Sequence, residues 1–233
     1  MLWAIHPYEA TEGVVEASRK IFARECLSAL KLAVRGSGWQ KRENVLFRRL
    51  SDHFVSVELK AASNQPLSWI EVRIKPFELD PLLWQITETD SRDWPLFARA
   101  FFSASCRAPI FRKIDWNDAG VTPQGNVARL LAALDGVLSM IEELAMRSYA
   151  DFVDAVDTFG DFTTTRALSL ILEEREVEAL TYSEECLRGH RKVRSKMNFL
   201  TDSGAQTRDV HELIIDWIRT GDTRLMQPDS EGD

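Results

Sequence analysis

The sequence predicts an α+β protein: an N-terminal helix packed on an antiparallel sheet, followed by an α-helical C-terminal half with one long helix. Three patterns predict it. Val55, Val57 and Leu59 alternate with Ser56, Glu58 and Lys60, and Ile70, Val72 and Ile74 alternate with Glu71, Arg73 and Lys75. Period-two alternation gives each strand one dry face and one wet face. Thr11 to Val34 and Thr122 to Val156 instead carry apolar residues every three or four positions, the helical period.

Taken in order, the first helix is marked by Val14, Val15, Ser18, Phe22, Cys26, Leu30 and Ala33, with Thr11 near its start and Gly36 at its end. It is expected to lie across the dry face of the sheet. A strand over Val45 to Leu50 would turn through Ser51, Asp52 and His53 into the first alternating run. Ser63, Asn64, Gln65 and Pro66 would close the hairpin to the second. Facing Glu58 with Arg73 and Lys60 with Glu71 pairs opposite charges on the wet face and aliphatics on the dry one. Arg48, Arg49, Arg73 and Lys75 then belong to a solvated sheet face.

Beyond Pro76 and Pro81, Leu82 to Thr87 reads as an edge strand. Asp93-Trp94-Pro95 reads as a helix start leading into Leu96 to Ser105, with Trp94, Phe97, Phe101 and Phe102 in the core. Ile110 to Trp116 is ambiguous, with a short strand one reading. Thr122-Pro123 opens the long helix, which would span about 50 Å if unbroken, with Gly136 a place for a kink. Thr163 to Arg175, Val177 to His190 and Thr207 to Thr220 read as further helices, separated from one another by loops such as Thr201 to Gly204. Residues 1–120 form the expected sheet domain, and 121–233 a helical region packed on it as one unit.

Composition narrows the function classes. The chain has 233 residues, 45% hydrophobic and 28% charged, with a formal net charge of −7. Such a balance is that of a folded globular chain. No run of about 18 apolar residues suggests a membrane span, and the first residues lack the pattern of a secretory signal. Cys26, Cys106 and Cys186 are few and far apart, which fits free thiols in a reducing compartment, and the expected location is cytoplasmic. Residues 1–120 hold 17 Lys/Arg and 15 Asp/Glu, whereas residues 121–233 hold 12 and 21. The acidic half argues against nucleic acid and for a basic protein partner.

Chemistry is thinly signalled. No phosphate-cradling glycine loop and no Gly-x-Ser-x-Gly elbow is present. The four histidines show no mutual ligand spacing, and His211, beside Asp209 and Glu212, reads as a surface residue. Asp151, Asp154 and Asp157 recur every three residues and are the candidate metal ligands, because hard divalent cations take carboxylate oxygens. The competing reading is the wet side of an amphipathic helix, and it is preferred. The basic run from Arg188 to Lys196 lacks interleaved aromatics, so it is expected to pair with acidic residues such as Glu173 to Glu178, Glu184 and Glu185.

Gly38-Trp39-Gln40-Lys41-Arg42 followed by Phe47-Arg48-Arg49 resembles a block of an uncharacterised bacterial family, a domain of unknown function. The resemblance covers the first two-thirds of the chain. It implies an α+β fold and brings no catalytic residues with it. Trp39 stands where Phe is more usual, and the acidic C-terminal helices extend past the match. The expected function is a non-enzymatic protein-binding module of the bacterial cytoplasm, immunity- or antitoxin-like, without a cofactor. Two alternatives are a divalent-metal-dependent enzyme using the Asp151, Asp154 and Asp157 ladder, and a dimeric structural or chaperone-like protein whose long helix pairs with a second copy.

Overall fold

Alternation along the chain builds a five-stranded antiparallel sheet whose strand order follows the sequence. The computed structural model describes residues 24–26, 28–43, 45–61, 67–87, 95–101, 105–117, 122–145, 148–189, 196–201 and 204–221. The strands are β1 (Gln40–Arg42), β2 (Val45–Leu50), β3 (His53–Ala61), β4 (Leu67–Pro76) and β5 (Ile110–Asn117). In β4 the dry face is as expected, with Ile70, Val72 and Ile74 buried; Val55 and Val57 of β3 are buried too. The Ile110 to Trp116 segment is β5. It pairs with β4 from Leu67↔Asn117 to Arg73↔Ile110, with a bulge between Val72 and Arg73. The expected hairpin turn lies outside the described residues.

The chain divides into two compact units, each drawn from residues on both sides of position 120. The first comprises residues 1–48, 56–73 and 110–139. Helical residues 24–26 and 28–33 form α1, with Cys26, Leu30 and Val34 buried at four-residue spacing. Residues 11–23 of the expected helix lie outside the described residues. The Cys26 thiol donates to the Pro123 carbonyl at 3.9 Å, so α1 runs beside the start of α4 (Pro123–Asp135). Gly38 has φ +81°, a left-handed backbone that favours glycine. A Cβ there would lie 3.1 Å from the Arg48 guanidinium carbon, and Arg48 Nη1 donates to the Ser37 carbonyl at 3.1 Å. The Gly38 and Arg48 of the sequence block are therefore neighbours. On the wet face, ion pairs run along the strands: Lys60–Glu58 at 2.6 Å, Arg73–Glu71 at 2.7 Å and Lys113–Asp115 at 3.0 Å.

The second unit comprises residues 49–55, 74–109 and 140–233. Its helices are α2 (Leu79–Ile86), α3 (Ala98–Phe101), α6 (Tyr149–Val156), α7 (Thr163–Leu172), α8 (Glu176–Leu187) and α9 (Val210–Thr220). The edge strand expected over Leu82 to Thr87 is helix instead. Leu79, Leu83 and Ile86 are buried at three- and four-residue spacing, and that period overrides the short alternation read there. Only Ala98–Phe101 of the expected Leu96 to Ser105 helix is helical among the described residues. α7 packs against α2, α6, α8 and α9 and buries Leu168 and Leu170. Each such aliphatic contributes about 1.5–3 kcal/mol. The helix expected from Thr207 starts at Val210, because Gly204–Asp209 is the strand β7, paired with β6 (Lys196–Thr201).

The single long helix expected from Thr122 to Val156 is three. Thr122 does cap its start, accepting from the Gly125 amide at 3.1 Å, with Pro123 in the first turn. Gly136 then interrupts it, and α5 spans Val137–Ala145. Ser148 begins α6 afresh, its hydroxyl accepting from the Asp151 amide at 3.1 Å. A serine that satisfies a free amide starts a helix more readily than it continues one.

Candidate functional site

Three polar groupings in the second unit hold the side chains capable of chemistry. The first is buried. By alternation Lys75 belongs to the wet face, yet its side chain is only 1% exposed. The ammonium donates to Asp80 Oδ1 at 2.8 Å, the Arg99 carbonyl at 2.9 Å and the Cys106 carbonyl at 2.6 Å, so all three protons have acceptors. Asp80 sits in the first turn of α2, where free amides favour a carboxylate. It also accepts from the Cys106 amide at 2.7 Å and from Arg99 Nη1 at 3.2 Å. The Arg99 guanidinium lies 3.6 Å over the Phe77 ring, with Arg49 3.9 Å from the same ring.

This cluster has the composition of an active site and the bonding of a clamp. Burial, with the Asp80 charge, pushes the Cys106 thiol far up, so it is no nucleophile, and its Sγ lies 3.5 Å from the Leu79 carbonyl. Burial likewise raises Tyr149, whose hydroxyl donates to the Ile74 carbonyl at 2.8 Å. Lys75 and Arg49 were both expected on a solvated face, and Lys75 is the clear correction. Arg99 and Cys106 close over it through their carbonyls, which strand alternation alone does not reveal.

The second grouping corrects His211. It is fully buried, not a surface residue, because α9 presents it with Ile214 and Ile215 on the face packed against α8. Nδ1 lies 3.2 Å from the Ser183 hydroxyl, and Nε2 has no hydrogen-bond partner among the described residues. Burial lowers its pKa to about 4, against a small opposing pull from Asp209, so the ring is neutral at pH 7. Ser183 is as deeply buried, so the pair has the atoms of a nucleophilic dyad without access to a substrate.

The third grouping is at the surface, where α6 meets the α7–α8 corner. Glu173 accepts from the Ala150 amide at 3.0 Å and from the Ser148 hydroxyl at 2.6 Å, capping α6. Arg175 reaches Asp151 at 3.0 Å, Glu173 at 3.2 Å, Ser148 at 3.0 Å, and Glu178 through two nitrogens at 2.8 Å. Hydrogen bonds donated to Glu178 and Asp151 hold the guanidinium above its ordinary pKa. Between them Glu174 adopts φ +58°, so that the Arg175 amide can close back onto the Leu170 carbonyl at 2.8 Å.

The candidate metal ligands fall on different partners. Asp151 pairs with Arg175, Asp154 pairs with Arg166 at 2.5 Å, and Asp157 accepts from the Asp161 and Phe162 amides at 2.9 and 3.0 Å. The ladder follows the exposed side of α6, and no group of three or more possible metal ligands gathers among the described residues. Glu173 and Glu178 bind Arg175, and Arg188 of the basic run pairs with Glu184 at 2.7 Å as expected. Residues 190–195 of that run lie outside the described residues. Cys26, Cys106 and Cys186 are all buried. No helix among the described residues is long and apolar enough to cross a membrane.

These features define an α+β protein with an antiparallel sheet and a helical corner rich in carboxylates. No family model, no curated protein and no solved structure matches the chain.

Proposed function

We propose that the chain is a non-enzymatic protein-binding module, an immunity- or antitoxin-like protein of the bacterial cytoplasm that covers a basic partner. One observation carries the reading. Residues 148–181 hold eight Asp/Glu against two Lys/Arg, and Phe159 and Val177, each 79% exposed, stand among them. Carboxylates around exposed apolar side chains give both long-range attraction to a cationic protein and something for it to bury. The other ionisable groups support binding over catalysis by how they are engaged. Lys75, Asp80 and Arg99 brace the interior, and His211 is sealed. The resemblance of the Gly38 to Arg49 block to an uncharacterised bacterial domain fits this role and adds no activity.

The test is affinity capture by the full chain from its host, repeated at rising salt. A stoichiometric basic protein, held at low ionic strength and released by about 0.5 M NaCl as screening shortens, is the expected result. Capture of no protein, together with turnover of a small-molecule substrate, would reject the reading.

A further inference from the structure

Exposed apolar side chains are ordinary when scattered singly. Among the described residues of the second unit, four of the five exposed large ones gather by α6 and the α7–α8 corner, Leu187 being the fifth. Val156 and Phe159 lie at the C-terminal end of α6, and Leu172 and Val177 flank the α7–α8 corner; all four are exposed. The corner sits at the opposite end of α6, because Arg175 and Glu173 bind Ser148, Ala150 and Asp151 there. α6 rises about 12 Å between the two ends. The outward side of α6 carries Asp151, Asp154 and Ala155, all exposed, and Thr158 and Phe159, just past its end, are exposed too. Apolar groups therefore bracket a line of carboxylates, with Glu174, Glu176 and Glu178 exposed around Val177.

We infer that this α6–α8 face is the docking surface, and that its occupant is a cationic segment of a partner protein carrying two apolar anchors separated by Lys or Arg. The inference rests on the protein-binding reading and deepens it. Charge complementarity selects the occupant: the face repels acidic peptides, nucleic acid and anionic lipid alike. Arg166 and Arg175, paired with Asp154 and with the trio of Asp151, Glu173 and Glu178, offset two of the eight carboxylates and leave residues 148–181 with a formal charge of −6. Bracing by Arg175 and Glu173 also holds the two ends in a fixed relation before the partner arrives, which lowers the ordering cost of binding.

Val177→Asp and Phe159→Asp test it. Both side chains are exposed, so the changes leave folding within about 0.5 kcal/mol, and a melting curve checks this. The probe is a synthetic amphipathic peptide of Leu and Lys at helical spacing, measured by calorimetry with the full chain beside a scrambled peptide of the same composition. The expected result is binding at low salt that each substitution weakens at least tenfold, with Glu58→Lys in the first unit as an unaffected control. Equal binding by native chain and variants overturns the inference. A self-associating chain that Val177→Asp converts to monomers also overturns it, because the face then belongs to a second copy. A captured host protein retained equally by both variants refutes this surface while leaving the protein-binding reading standing. Failure of capture with any chain refutes that reading itself.

Discussion

Lys75 and Arg175 each gather at least three acceptors from separate stretches of the second unit, yet the Lys75 side chain is 1% exposed and the Arg175 side chain 28%. Their wiring is alike and their energetic weight is not. In the dry site an unpaired partner has no water to turn to, so every hydrogen bond is obligatory. At the surface each carboxylate that loses Arg175 is solvated at once, and the geometry is what suffers. The two hubs separate the parts of this protein that hold it together from the part that can meet another molecule.

The largest effect should follow from Lys75→Met. It leaves Asp80 buried against Arg99 and one amide, and strands the Arg99 and Cys106 carbonyls. Breaking a buried pair by removing one partner costs about 3–5 kcal/mol. Urea unfolding should show that loss, unchanged between low and 1 M NaCl because no solvent screens the site. A loss under about 1 kcal/mol would mean that water reaches the ammonium and that the contrast with Arg175 is false.

His211 offers the next test. Its folded pKa, about 4, lies below the unfolded value of about 6.5. The unfolded chain therefore takes up a proton that the folded chain refuses. Stability from this residue is fully present above pH 6.5, falls as pH drops toward 4, and levels off below it. The total is about 3 kcal/mol. His211→Asn keeps an acceptor for Ser183 and removes the titration, so its unfolding free energy should vary less with pH across that window. Burial also lowers His53, which acts in the same direction and is retained in both chains, so the difference isolates His211. Identical pH slopes would place the ring in contact with water.

Sheet alternation was legible where one face carries the aliphatics, and Val57, Ile70 and Val72 obey it, although β2 buries Val45, Leu46 and Phe47 in succession and β3 buries Phe54 to Val57. Lys75 was not legible, since alternation names a side of the strand and says nothing of what later segments cover. Leu79, Leu83 and Ile86 had the right spacing for a helix, but a four-residue alternation within them competed with it. His211 could have been placed by its spacing to Ile214 and Ile215; its charged neighbours Asp209 and Glu212 pointed the other way. The α6 carboxylates were legible as a ladder, whereas their partners Arg166 and Arg175 lie on other elements that only packing brings near.

A smaller effect, of opposite sign, is expected at the surface hub. Glu174 holds φ +58°, a left-handed conformation that a side chain disfavours by about 1–2 kcal/mol. Glu174→Gly removes that strain, and the greater freedom of glycine in the unfolded chain returns part of the gain. A net stabilisation of about 0.5–1 kcal/mol should appear as a raised melting temperature. A lowered one would mean that the Glu174 side chain itself holds the corner.

Arg175→Ala should matter least to stability. Glu173 still caps α6 through the Ala150 amide and Ser148, so the helix start survives the loss of the guanidinium. Exposed ion pairs are worth little singly, and a loss below about 1 kcal/mol is expected. Adding 1 M NaCl should erase most of it, because the screening length then falls to about 3 Å. The same salt leaves the Lys75→Met deficit intact, so the two variants measured at two salt concentrations form one experiment. If instead the Arg175→Ala deficit matches that of Lys75→Met and ignores salt, the corner is as rigid and dry as the interior. The acidic face would then be a structural joint, with little left to offer a partner.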